Sequence, residues 1–245
     1  EVQHAPTPAE RNLLQRQADA LRTAGTMTVA EDRFIVFDTE RDAGSIKGDQ
    51  LDLLKTLAEE RPEPGLPARV QRIFIVSHRP IWAEEDPEYG PLFAGNTRSA
   101  MGINFRSEVY PLVRRIAEHA QVYWISGSLG GQARSSIFFQ RHAPNITFIQ
   151  CAVRDEPRDA LLIADLYSDS VHWSALSLTG MALREPSTYD AGWWRANLGP
   201  DRGFNWRLLP YYARITVLHR AFWAGLLTAS VLAIAVAGWR SRRRA

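Results

Sequence analysis

The run from Ala221 to Trp239, AFWAGLLTASVLAIAVAGW, holds no charged residue in nineteen positions and constrains the chain more than any other segment. As an α-helix it spans about 28 Å at about 1.5 Å per residue, close to the roughly 30 Å of a bilayer core. Trp223 and Trp239 stand near its two ends, where interfacial aromatics belong, and Arg-Ser-Arg-Arg-Arg-Ala follows directly. The expectation is one transmembrane helix over 221–239 with membrane lipid as its surroundings and a basic tail over 240–245. Four arginines after the run outnumber Arg214 and Arg220 before it. A single-pass protein is therefore expected, with residues 1–220 on the extracytoplasmic side and the tail in the cytoplasm. Gly225, Ala229, Ala233 and Ala237 recur every fourth residue. That stripe would let two helices of a homodimer pack closely, although alanine-rich membrane helices show the same spacing by chance.

The arginine-rich tail also explains the charge. The whole chain carries +2, and without the tail's four arginines the remainder is −2. A mildly acidic body argues against nucleic acid as a partner, and 45% apolar content argues against disorder. Cys151 is the single cysteine, which excludes an intramolecular disulfide framework and a cysteine-based zinc cluster. The first residue is not methionine, and Glu-Val-Gln-His lacks the charged and apolar regions of a signal peptide. The N-terminus reads as a cut end.

From 33 to 180 the periodicity is that of an α/β domain. RFIVFD (33–38), RIFIVS (72–77) and QVYWIS (121–126) are short runs rich in Val, Ile and aromatics, and they predict strands. Between them Leu51, Leu54 and Leu57 line one face of a helix with Asp49 as its candidate N-cap. Val109, Leu112, Val113, Ile116 and Ala117 do the same for a second. Residues 8–23 predict one more amphipathic helix. After Gly131 come SSIFF, ITFIQCA, ALLIADLY and VHWSALSL without intervening helices, a pattern of consecutive antiparallel strands. Strands alternating with helices and then a meander predict a layered sheet with helices packed on it. Residues 186–220 collect Trp193, Trp194, Phe204, Trp206, Tyr211 and Tyr212. They read either as an aromatic-rich connector near the membrane or as rings packed against the domain.

Ligands of open α/β sheets gather at the carboxyl ends of strands. Three such ends carry polar residues: Asp38-Thr39, Ser77-His78-Arg79-Pro80 and Ser126-Gly127-Ser128-Leu129-Gly130. Asp38-Thr39, then Gln50 with Leu53-Leu54, then His78-Arg79-Pro80 after a buried strand, stand in an order that resembles the C-terminal half of the calcineurin-like metallophosphoesterases. The resemblance covers about residues 31–180.

The resemblance implies a layered β-sandwich flanked by helices, with its N-terminal part missing here, over residues 1–185. It also implies a site for two divalent ions (Mn, Fe or Zn). His78 is the implied metal ligand, Asp38 a support beside it, and Arg79 a contact for the phosphate of a phosphorylated substrate. Where the family carries Gly-His-x-His, this chain has Gly127-Ser128-Leu129-Gly130. Ser128 and Gly130 thus occupy ligand positions without imidazoles, and a hydroxyl is a far weaker ligand for such metals. The expected function is a membrane-anchored metal-dependent phosphoesterase in which a metal-activated water hydrolyses a phosphate ester. The chain would be a fragment or divergent member, inactive by itself. A first alternative is a non-catalytic, membrane-tethered phosphoesterase-like binding module. A second is a serine hydrolase using Ser128 on a near match to the Gly-x-Ser-x-Gly elbow, with His142 or His172 as base.

Overall fold

The structure, a computed structural model, describes residues 25–29, 32–60, 71–93, 102–127, 137–153, 157–197, 206 and 209–242. The helix expected over 8–23 lies outside the described residues. Contacts divide the chain into two units, Glu1–Arg202 and Gly203–Ala245.

In the first unit, the three apolar runs form the strands β2 (Asp32–Phe37), β3 (Gln71–Ser77) and β4 (Ala120–Ser126), preceded by β1 (Gly25–Val29). Strands β5 (Ile137–Ala143) and β6 (Ile146–Cys151) complete a six-stranded sheet in the order β1-β2-β3-β4-β6-β5. Pairing is parallel from β2 through β3 and β4 to β6, and antiparallel at both edges. A second, two-stranded sheet pairs β7 (Ala160–Leu166) with β8 (Val171–Ser177).

The register sorts side chains onto two faces. Ile35, Ile75, Trp124 and Phe148 lie in one row across the sheet, each opposite the next, and all four are buried. They form the core with α1 (Asp49–Glu59) and α3 (Tyr110–Ile116), between which comes the single turn α2 (Ile81–Glu84). Leu54 and Leu57 of α1 and Val113 and Ile116 of α3 are buried against this row, as their spacing requires. The cap of α1 is Gly48, not Asp49, and its backbone at φ 55° and ψ −133° suits a residue without a side chain.

The opposite face carries a second aromatic row. Phe34 stacks on Phe74 at 4.8 Å and Phe74 on Tyr123 at 5.1 Å. Trp173 of β8 reaches both Tyr123 and Phe139, so the β7–β8 hairpin packs on this face. The chain after β4 is therefore not one meander. β5 and β6 extend the first sheet, whereas β7 and β8 leave it and lie on the far side of it.

Aromatics near the end of the unit pack inward. Trp194, on α4 (Ala191–Asn197), is 2% exposed and donates its ring N–H to Ile137 O at 2.7 Å. The rings at 193 and 194 thus belong to the domain.

In the second unit, α5 (Leu209–Leu218) is followed by α6 (Arg220–Arg242), which covers the whole apolar run. The expected fold of a β-sandwich plus one transmembrane helix over 221–239 is corrected here. The fold is mixed α/β with a six-stranded and a two-stranded sheet, and among the described residues no helix is long and apolar enough to cross a membrane. α6 carries no charged residue from Ala221 to Trp239. Within it Thr228 and Ser230 turn their hydroxyls back onto Ala224 O and Leu226 O.

Candidate functional site

The carboxyl ends of the parallel strands β2, β3 and β4 lie side by side, with Phe37 opposite Ser77 and Ser77 opposite Ser126. On the helix-facing side this end of the sheet is polar and buried. Ser77 is 4% exposed and Ser126 is fully buried. Their hydroxyl oxygens are 3.0 Å apart. Ser77 donates to Arg79 O at 2.9 Å and accepts the ring N–H of Trp124 at 2.9 Å. Ser126 accepts the ring N–H of Trp82 at 3.2 Å. One hydrogen arrangement serves every group: Ser77 donates to Arg79 O, and Ser126 donates to Ser77. The two hydroxyls and two indoles of this layer are thus all paired, which is the condition for keeping them dry.

The consequence is a fixed turn at 78–80. Arg79 O accepts from Ile81 N as well as from Ser77, and Arg79 N donates to Thr39 Oγ1 at 2.9 Å. With its neighbours on both sides so held, His78 is left exposed at the end of the middle parallel strand. Its position directly after β3 is the strand-end position that the sequence implies.

Asp38 is also exposed, but its carboxylate has local work. Oδ1 accepts from Glu40 N at 3.0 Å and Arg41 N at 3.2 Å, forming the turn that leaves β2. Its backbone is clamped by Gln50, whose Oε1 accepts from Asp38 N at 2.7 Å and whose Nε2 donates to Asp38 O at 3.3 Å. Gln50 is 1% exposed at the start of α1, so it ties that helix to the strand end.

Arg79 is oriented inward, with a fully buried side chain. Its Nη2 donates to Glu84, and its Nε stands 3.9 Å from Glu40 Oε1. Nε and Nη1 have no hydrogen-bond partner among the described residues. The backbone passes close above it at Gly44, φ 96°, where a Cβ would lie 3.0 Å from Ile103 and 3.2 Å from the guanidinium carbon. A guanidinium so covered joins α2 to the strand end and presents no donor to solvent. Glu84, its partner five residues on, and the Trp82 and Trp124 indoles are parts of this site that sequence reasoning missed. Side-chain direction across a strand end leaves no periodic signal.

Ser128 and Gly130 lie outside the described residues. His172 is exposed on β8, and His142 is held between two tyrosines, with Tyr89 Oη 2.7 Å from Nδ1 and Tyr110 Oη 2.9 Å from Nε2. Among the described residues no group of three or more His, Cys, Asp or Glu side chains converges to hold a metal ion. His78 stands as one imidazole whose nearest candidate support, Asp38, is committed to a turn. The described donor set does not by itself fit a two-metal centre. No protein-family model matches the chain, and no curated protein matches it either.

Proposed function

We propose that the chain is a phosphoesterase-like α/β protein that acts on phosphate esters with divalent metal, with His78 as the ligand supplied by the described residues. The observation that carries this reading is the presentation of His78. A solvent-exposed imidazole sits at the carboxyl end of β3, beside the end of β4, and the two ends are joined by the Ser77 and Ser126 hydroxyls. Open α/β sheets bind their ligands at such strand ends. The buried hydroxyl pair also keeps the turn from relaxing, which is what a metal ligand requires of its support. The further ligands have to come from outside the described residues, and no step of the reaction is assigned to a metal here.

A second reading is a phosphoesterase-like module that binds without turnover. It draws on Asp38, the nearest candidate support of His78, whose carboxylate is committed to the turn that leaves β2. Metal content and activity of the full chain separate the two. If His78 is a ligand, the protein purified with manganese retains the ion and hydrolyses an aryl phosphate. His78→Ala then lowers kcat/KM by about 100-fold or more while leaving the unfolding midpoint unchanged. Retention of metal and activity by His78→Ala would refute the assignment, whereas no bound metal and no turnover in the parent would favour the binding module.

A further inference from the structure

A crevice lies between the β7–β8 hairpin and the face of the sheet turned away from the helices. Its volume is about 530 Å³, within the range of about 300–1,000 Å³ that small-molecule sites occupy. Phe34, Phe74 and Ile125 of the sheet form one wall, and Leu162, Leu166 and Trp173 of the hairpin form the other. Of these six only Phe74 is buried, so the two apolar walls face each other without filling the space between them. Among the described residues that line the crevice none is charged, and the Cys151 thiol in its lining already donates to Ala160 O at 3.2 Å.

The crevice is continuous with the strand ends that carry the candidate site. Gly127, exposed and part of its lining, donates its N–H to Ser77 O at 3.3 Å, one residue before His78. Phe74 precedes Ser77 by three residues on β3, so the crevice reaches about 10 Å down the strands from that end. A charged group would lose its water inside and find no partner there. A methylene gains on leaving water against the same walls. The occupant that fits is therefore apolar along its length and carries any charge at the strand end, outside the crevice. We propose that the crevice binds an extended alkyl chain. On the phosphoesterase reading, on which this step rests, the chain is the alcohol part of the substrate, and the substrate class is a phosphate ester of a hydrophobic alcohol.

Alkyl phosphonates, which carry no ester bond to hydrolyse, are the probes, titrated by calorimetry into the full chain purified with manganese and kept below micelle formation. Octyl phosphonate is expected to bind about 50-fold or more tightly than butyl phosphonate, since each fully buried methylene is worth about a factor of four. Leu166→Glu, at a position 38% exposed, puts a charge into the lining and is expected to remove most of that gain. Ile163→Glu puts the same charge on β7 at a position 43% exposed and outside the lining, and is expected to leave the gain intact. Equal binding of the two phosphonates, or none, would overturn the proposal even if an aryl phosphate is turned over in a His78-dependent way. So would an equal effect of the two glutamates, which marks adsorption to the hairpin surface. His78→Ala is expected to weaken both phosphonates alike and to keep their ratio. Were it to weaken neither, the chain-length gain would still place an alkyl chain in the crevice, and the phosphoesterase reading alone would fall.

Discussion

Replacing Arg72 by methionine tests how the β7–β8 hairpin is held on the sheet. Arg72 and Asp32 face each other across the β2–β3 pair, with side chains 10% and 6% exposed. The guanidinium donates through Nε to Asp32 Oδ1 at 2.5 Å and through Nη2 to Oδ2 at 3.0 Å, a two-point fork. Its remaining nitrogen, Nη1, donates to Tyr167 O at 2.5 Å and Ser170 O at 2.7 Å, the two carbonyls that flank the β7–β8 turn. One side chain therefore neutralises a buried carboxylate and pins the hairpin tip.

Arg72→Met leaves Asp32 buried with no cation, and breaking a buried pair from one side costs about 3–5 kcal/mol. Tyr167 and Ser170 are exposed, so their carbonyls regain water and add less than about 1 kcal/mol each. The expected total is about 4 kcal/mol. With a urea dependence of about 2–3 kcal/mol per molar, the midpoint of the first unit falls by about 1.5 M. The double variant Asp32→Leu with Arg72→Met leaves no lone charge and is expected to cost only about 1–2 kcal/mol. The double variant is then more stable than the single Arg72 variant by about 2–3 kcal/mol. Hydrogen exchange adds a local readout, since the β7 and β8 amides should lose protection before those of β3 and β4. A single variant costing under about 1 kcal/mol, or a double variant no better than the single, would refute the reasoning.

Two further outcomes follow from buried titratable groups. Burial depresses the His142 imidazole below 6.5, against the opposing effect of Asp86 and Glu88. Its contribution to stability is therefore complete above about pH 6.5 and is lost as pH falls through the lower folded value, where the unfolded chain takes up the proton first. The unfolding midpoint should drop on acidification more steeply in the parent than in His142→Gln, and parallel profiles would contradict the assignment. Cys151 is pushed up to about 11, first by burial and then by the Asp159 charge, against a hydrogen bond from the Leu162 backbone. At about pH 8 its thiolate fraction is about 100-fold below that of an ordinary thiol, so labelling by an aromatic disulfide should be about 100-fold slower folded than in urea. Equal rates in the two states would show the thiol to be accessible and ordinary.

The strands were the legible part of this chain because four apolar residues in a row at 34–37 and 73–76 can be satisfied in few other ways. The same residues say nothing of what lies on each face. In β7, Leu161 and Ile163 are exposed while Leu162 between them turns inward. That alternation marks a strand but not the sheet to which it belongs. Arg-rich segments mislead in the same way: Arg79 beside a histidine reads as a phosphate contact, and only the packing of α2 and Gly44 over it reveals a buried guanidinium. The apolar run at 221–239 carries composition without context, so its helix could be read but not its surroundings.

The polar layer under His78 shows the same limit at the site itself. Ser77 and Ser126 are 49 residues apart in sequence, and each alone reads as a turn former at a strand end. Their meaning arises from register, because Ser77 opposite Ser126 across β3 and β4 places two hydroxyls between two indoles. A one-residue slip of β3 would move Ser77 to the other face. The Trp124 indole would then be buried without its acceptor, at a cost of about 1–3 kcal/mol. The pairing that holds the His78 turn therefore also fixes the register of the sheet that presents it, so the stability of this core and the aim of the candidate ligand depend on the same four side chains.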